Sequence, residues 1–342
     1  MLLDLNGNKL STVTKYGIIQ DVHENPEMVK NALEVFKKAE IDKILVNGDI
    51  VNHAQTSEEA MRYTAHILDM IGKTNLETYV QPGSHETVRE FMPVIDILSK
   101  KYPNLISTLE VNEVKGKDHW LYFIPGSDSV AGGEYTFTAQ KDFQTDLYFQ
   151  TKEGLVSASK IDESKITKEQ LAQLQQLPLL YVTNINDLES KIKEPEKSVM
   201  ICHVPRKFDD VNVGVDRAYF GSSFNDGGIY PGKYFHEDAI ELFGDDNVDM
   251  KKFARKLGYD LKNENSGNKE LKKLYESTGI KKAVSGHFHE SGHRAHDENE
   301  NPVKEGEMVN ELFWNAGYLD EGQTGILTVK ENKVSYQNIN LK

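Results

Sequence analysis

A mixed α/β fold with more than one sheet follows from three features of the 342-residue sequence. Strand and helix patterns alternate through its first third, short strands cluster at its end, and polar residues recur where apolar runs stop. Tyr16 to Gln20 is a short strand running into Asp21. Asn25-Pro26 has the form of an N-cap followed by proline in the first turn, and Met28, Val29, Ala32, Leu33, Phe36 and Ala39 repeat at helical spacing. Lys43 to Asn47 is a buried strand ending at Gly48-Asp49. Thr56 and Glu59 have capping-box spacing and open a second helix, with Met61, Ala65, Leu68 and Ile71 on one face. Glu77 to Gln81 is a third strand, ending at Pro82-Gly83, and Phe91 to Lys101 a third helix. A β-α-β-α-β order implies parallel strands joined by right-handed crossovers, whose functional residues gather at the carboxyl ends of the strands.

Further along, Trp120 to Pro125 is strand-like. Ser127 to Pro195 offers one helix, Thr167 through Leu174, with Gln170 completing a capping-box spacing. Ser198 to Cys202 is a strand ending at His203, and Lys282 to Ser285 one ending at Gly286-His287. Between them, residues Arg206 to Gly267 are rich in glycine and aromatics and poor in aliphatics. They are expected to form an inserted loop without its own core, lying over the strand ends of a single domain spanning 1–342. Asp297 to Asn301 is a polar turn. Leu312 to Asn315, Thr324 to Val329 and Lys333 to Gln337 read as short antiparallel strands, with Glu331-Asn332 a two-residue hairpin turn lacking the preferred glycine.

The formal net charge of −14 repels polyanions, which makes nucleic acid an unlikely partner and leaves a small phosphate ester open, since bound cations reverse the local charge. No apolar run approaches the ~20 residues of a membrane helix. Met1-Leu2-Leu3-Asp4-Leu5-Asn6 lacks the basic flank and apolar stretch of a signal peptide. Cys202 is the only cysteine, so an internal disulfide is impossible and a reducing cytoplasm is expected. The oligomeric state is not written in the sequence.

Asp21-Val22-His23, Gly48-Asp49, Gly83-Ser84-His85-Glu86, His203 and Gly286-His287-Phe288-His289 follow one another, mostly after apolar runs. Asp21 and His23, two apart at a strand end, can reach one metal ion. Asp49, on the neighbouring strand end, is the natural bridge. His287 and His289 can serve one ion each, and His203 adds a further nitrogen. Together they suffice for two octahedral-like sites completed by water. Each piece alone has a plainer reading: a solvated loop for Asp21 and His23, a turn for Gly48-Asp49, a core histidine for His203.

In this order the pieces resemble the calcineurin-like metallophosphoesterases, whose pattern is Asp-x-His, Gly-Asp, Gly-Asn-His-Glu/Asp, a lone His and Gly-His-x-His. The resemblance spans Asp21 to His289, and Asn315-Ala316-Gly317 stands where relatives carry an Asn-Pro-Gly turn. It implies a four-layer α/β/β/α sandwich of two mixed sheets flanked by helices, with the metal site at the carboxyl edge of the strands. It implies that Asp21, His23 and His289 bind a first metal, that Asp49 bridges, and that His203 and His287 bind a second. His85 then stands near the leaving group as general acid or charge stabiliser, and a metal-bridging hydroxide attacks phosphorus of a mono- or diester. Two divalent ions are implied; Mn, Fe, Zn and Ni suit mixed N/O ligands, and Mn is favoured.

Two departures stand out. The family's asparagine ligand is Ser84 here, a shorter and poorer donor, for which Asn52 or Asn184 is an alternative. Glu24 follows the Asp-x-His piece, where relatives carry a small residue. Arg206, Arg217 and Tyr219 are candidate substrate contacts, and Tyr219, Phe220 and Tyr230 favour a nucleotide-like or aryl ester. His53 either lines the site or faces solvent; His293 and His296 lie on the outgoing loop; His66, His119 and His236 are structural or exposed. A nuclease and a non-catalytic module on the same fold are the alternatives. His289-Glu290-Ser291-Gly292-His293 also matches a zinc-protease spacing, but that motif needs a helix and Ser291-Gly292 is a poor helix interior.

Overall fold

The computed structural model describes residues 13–52, 56–128, 132–162, 165–244 and 248–341. Two six-stranded mixed sheets face each other. The first runs Lys333–Asn340, Gln323–Lys330, Val13–Ile19, Lys43–Asn47, Glu77–Gln81, Leu105–Ser107. Its last four strands are parallel, and Gln323–Lys330 joins them antiparallel. The second runs Ala295–His296, Leu312–Asn315, Lys282–Ser285, Ser198–Cys202, Trp120–Ile124, Glu113–Lys115, with its four central strands parallel.

The strands are apolar on both faces because both faces are covered. Tyr16, Ile18, Leu45 and Tyr79 of the first sheet meet Phe123, Ile201, Val284 and Trp314 of the second in a core between the sheets. The alternate residues Ile19, Ile44, Val46 and Val80 pack outward against the helices Pro26–Lys38, Ser57–Gly72 and Val88–Lys101. On the far side Tyr122, Met200, Cys202 and Phe313 pack with Leu271, Leu274 and Tyr275 of the helix Lys269–Thr278. This is the four-layer sandwich the resemblance implies. The local signals hold too: Asn25 accepts from Met28 N–H, and Thr167 and Gln170 form a reciprocal capping box. Among the described residues, no helix is long and apolar enough to cross a membrane.

Three expectations need correction. Leu312–Asn315 is not antiparallel: it runs parallel to Lys282–Ser285 and pairs antiparallel only with the two-residue strand Ala295–His296. The Ser127 to Pro195 stretch holds a sheet besides its expected helix, Lys168–Leu174: Tyr135–Thr138, Asp146–Thr151, Gly154–Ser157 and Leu179–Asn184 form four strands. Arg206 to Gly267 is not a coreless loop. Arg217–Ser223, Ile229–Pro231 and Tyr259–Asn265 make a three-stranded sheet. Phe235, Ala239, Phe253, Ala254 and Leu261 close a separate small core against it, joined by Tyr219, Tyr230 and Tyr259. Aromatic rings supply there the apolar area that the missing aliphatics do not. Asp216, fully buried, ties the two ends of this insertion by accepting from Phe208 N–H, Gly267 N–H and the Asn265 amide.

Candidate metal centre

Register brings the ends of neighbouring strands level: Ile19 pairs with Val46, and Asn47 with Gln81. The loops that follow are laced together by backbone hydrogen bonds. Asp21 N–H donates to the Gly48 carbonyl, Val22 and His23 N–H both donate to that of Asp49, and Glu24 N–H to that of Ile50, at 2.7–3.1 Å. Asp21, His23, Glu24, Asp49 and His287 all adopt positive φ, between 44° and 65°. Each such residue costs on the order of 1 kcal/mol or more, and such strain gathers where side chains are aimed for function. Gly48 and Gly83 lie back to back: a Cβ on Gly48 would sit 2.4 Å from the Gly83 Cα, so only glycine lets the two loops approach.

The aimed side chains form two adjoining clusters, Asp21 with His23 and His289, and Asp49 with His203 and His287. Within each, one ligand atom per residue lies within 4.8 Å of the others. His203 Nε2 joins them, 3.0 Å from Asp49 Oδ2 and 4.0 Å from Asp21 Oδ1.

This donor set fits cations. His203 Nδ1 sits 2.8 Å from the Asn47 carbonyl, so that nitrogen carries a hydrogen, and Nε2 faces Asp49 Oδ2 at 3.0 Å. His23 Nε2 and His289 Nε2 face each other at 3.2 Å, and buried His23 Nδ1 has no hydrogen-bond partner. The carboxylates around His203 also favour its protonated form. Burial opposes its charge, but the Asp49 and Asp21 carboxylates outweigh burial and raise its pKa. Burial pushes His23 and His287 down to about 4, the latter with help from His203, so both present neutral imidazoles at physiological pH. Asp49 stays ionised: burial would raise it, but His203 and His85 hold it well below the usual carboxylate range.

A second tier holds this geometry. Buried Glu86 accepts from four backbone N–H groups, of Asp49, Ile50, Val51 and Gly83, binding the second and third strand-end loops together. Beneath the clusters, Gln81 donates to Asn47 and Asn47 to Gln20, while Gln20 donates to the Ser285 and Gly317 carbonyls across the sheets. Asn315 donates to the Gly286 and Phe288 carbonyls and so fixes the loop bearing His287 and His289. Tyr318 stacks flat on His289, centroids 4.7 Å apart and planes 2° off parallel. None of these roles was assigned from sequence. The signal for the amides was present: a polar residue closes the apolar strand at Gln20, at Asn47 and at Gln81.

His85 is part-exposed at the edge of the clusters. Its Nε2 is 3.8 Å from Asp49 Oδ2, its Nδ1 3.4 Å from the Asn52 carbonyl, and its ring stands edge-on to His23. Ser84 donates from Oγ to Asp49 Oδ2 at 3.0 Å and lies 3.4 Å from His287 Nδ1, beside the second cluster. Asn184 is no stand-in for it, because its amide donates to the Gln140 and Phe143 carbonyls. Glu24 accepts from Asn52 N–H and braces the neighbouring loop.

The substrate candidates are placed differently from expectation. Arg206 does not reach the clusters: its guanidinium lies between the Phe208 and Phe313 rings, in the core on the outer face of the second sheet. Arg217 binds Asn263 through Nε, and its carbonyl accepts from Ser291, two residues past His289. Tyr219 points its hydroxyl at His236, and Tyr230 packs on Phe235 and Tyr259, both inside the insertion. Phe220 packs against the core on the outer face of the second sheet. The insertion does touch the site's flank, where Lys233 pairs with Glu321 at 2.7 Å, three residues beyond Tyr318. His293 Nε2 meets the Thr324 carbonyl, and buried His296 accepts from Val215 N–H. His289 and His293 therefore do not converge as a zinc-protease pair. His119 is buried with Nε2 at the Tyr16 hydroxyl and Nδ1 at Asp118, His66 is exposed, and His53 lies outside the described residues.

The sequence pattern of the calcineurin-like phosphoesterases matches residues 14–291. No curated protein matches the chain. Among solved structures, a protein of Thermus thermophilus is similar at 12% identity and TM-score 0.48, over 97% of this chain and 100% of that one. A dimetal phosphatase from Danio rerio is similar at 8% and 0.48, over 96% and 99%. A purple acid phosphatase from yellow lupin seeds is similar at 10% and 0.37, over 97% and 52%.

Proposed function

This chain belongs to the calcineurin-like phosphoesterase family, and on that premise we propose that it is a dinuclear metal-dependent hydrolase of small phosphate esters. The observation that carries this is the adjoining, through His203, of two three-residue clusters of imidazole and carboxylate donors. In this reading Asp21, His23 and His289 would hold one ion and His203 and His287 the other, with Asp49 shared between them and Ser84 contributing to the second. Mixed imidazole and carboxylate donors suit Mn, Fe, Zn or Ni, with Mn favoured. When bound, such ions lower the pKa of water and neutralise charge on the phosphoryl oxygens. The chain's own residues do the rest. Asp49 is locked by Ser84 and His85 N–H so that its carboxylate keeps one orientation. His85, at the open edge, passes a proton to the departing oxygen. Neutral His23 and His287 need lose no proton to act as ligands.

A preference for aryl or nucleotide-like esters loses its main support, since Tyr219 and Tyr230 are engaged within the insertion. The formal charge of −14 continues to favour small esters over nucleic acid. The test is metal content and turnover together. Protein reconstituted with Mn²⁺ should approach two ions per chain and hydrolyse p-nitrophenyl phosphate or its bis ester. One ion or fewer with no hydrolysis of either would sink the reading and favour a non-catalytic module.

Ser84 offers a finer check. An amide oxygen reaches farther than a hydroxyl, so Ser84→Asn should tighten the second ion and lower the Mn²⁺ concentration for half-maximal rate. A concentration that stays the same or rises would mean that another donor already fills the position.

A further inference from the structure

Most of the large apolar side chains that stand exposed among the described residues belong to the insertion; among them, Phe224, Ile240, Leu242, Phe243 and Leu257 are 45–64% exposed. They are not scattered. Ile240 and Phe243 lie about one turn apart on the helix Gly232–Phe243. The Phe243 ring stands edge-on to that of Phe253, on the neighbouring helix Met250–Lys256, with centroids 5.7 Å apart. Leu257 N–H donates to the Phe253 carbonyl, and Phe224 N–H to that of Gly258. One apolar strip thus runs over the outside of the insertion's small core, and a monomeric soluble protein rarely leaves such a strip bare.

The charges beside the strip are sorted by helix. After Lys233, which is taken up by Glu321, the first helix carries only acids, Glu237, Asp238 and Glu241. The second carries only bases, Lys251, Lys252, Arg255 and Lys256, all exposed. Lys252 pairs with Asp249 at its own N-cap, and among the described residues no ion pair joins the two helices. Two signs side by side are complementary to themselves. A two-fold axis through the strip lays the acidic helix of each copy on the basic helix of the other, whereas a partner of single sign is repelled by one helix. With a formal charge of −14, two copies repel over most of their surfaces, so this local pattern selects the orientation of contact. We propose that this face of the insertion docks a second copy of the chain as a two-fold dimer. Lys233 opens the first helix at the metal flank and Phe243 ends it about 15 Å further along, so the docking face lies at the end away from the metal centre.

Sedimentation equilibrium of the full chain tests this. Wild-type protein should give the mass of a dimer, with a dissociation constant of about 10 µM or tighter. Glu237→Lys with Glu241→Lys, and separately Arg255→Glu with Lys256→Glu, should each weaken association about tenfold or more, because both contacts then oppose like charges. An equimolar mixture of the two variants should dimerise again, since each contact regains opposite signs. Ile240→Lys, a change at an exposed position that serves even if a reversed variant misfolds, should weaken association as well. A monomeric wild type would leave the strip to a partner of other chemistry and overturns the proposal. Association untouched by the reversals or by Ile240→Lys would place the contact on another face, and a mixture that stays monomeric would show that the two helices do not face each other; either overturns it. Metal content and turnover enter none of these outcomes, so the dimer and the phosphoester reading stand or fall separately.

Discussion

Asp49→Asn is expected to lower phosphoester hydrolysis by about 10³-fold or more while the protein stays folded. The carboxylate is 2% exposed and belongs to the second cluster, receiving N–H groups from Ser84 and His85 and facing His203 Nε2 at 3.0 Å. An amide keeps the size and loses the charge. It also brings an NH₂, which can neither accept from an N–H group nor face a cation. The cores above and below the sheets do not include residue 49, so far-ultraviolet circular dichroism should match wild type while bound metal falls below two ions per chain. Turnover close to wild type in this variant would end the dinuclear mechanism, because no other carboxylate among the described residues belongs to the second cluster.

His85→Asn is expected to slow alkyl phosphate esters by about 10²–10⁴-fold and p-nitrophenyl esters much less. A poor leaving group needs a proton as its bond to phosphorus breaks; p-nitrophenolate hardly does. His85 suits this task because it is part-exposed and stands outside both clusters, whereas His203 is buried with Nδ1 held by Asn47. Metal content should remain at the wild-type level, since His85 belongs to neither cluster. Equal slowing of both ester types would assign His85 to holding the phosphoryl group and not to proton transfer.

How much of this was legible in the sequence depends on whether the information is local. Asp21, His23, Asp49, His203, His287 and His289 each follow an apolar strand that ends at that point, and strand ends in a parallel sheet converge by topology; these six meet as expected. Strand direction at Leu312–Asn315 was not legible, because four apolar residues read the same way in either direction and the long connection from Ser285 permits a parallel return. The insertion misled for another reason. Phe235 and Ala239 share one helix face, but Phe253 and Leu261 lie on separate elements, and the four become a core only when the sheet built on Arg217–Ser223 brings them together. Arg206 shows the same limit at one residue: position after the His203 strand suggested the site, while the direction of its side chain was set by Phe208 and Phe313. Glu86 was visible as part of its motif, but its four N–H contacts belong to two loops thirty-odd residues apart.

The single thiol has a use of its own. Cys202 is 1% exposed in the core under the helix Lys269–Thr278, and burial pushes its ionisation up, so an alkylating reagent cannot react with the closed molecule. Labelling must wait for the second sheet to open, and with no other cysteine in the chain every adduct reports that one event. His203 follows Cys202 directly at the end of that strand, so an opening that frees the sulfur is expected to release the imidazole too. The rate of modification is thus a built-in clock for the breathing of this half of the sandwich, and its slowing as cations are added would read their grip on the fold without any substrate present.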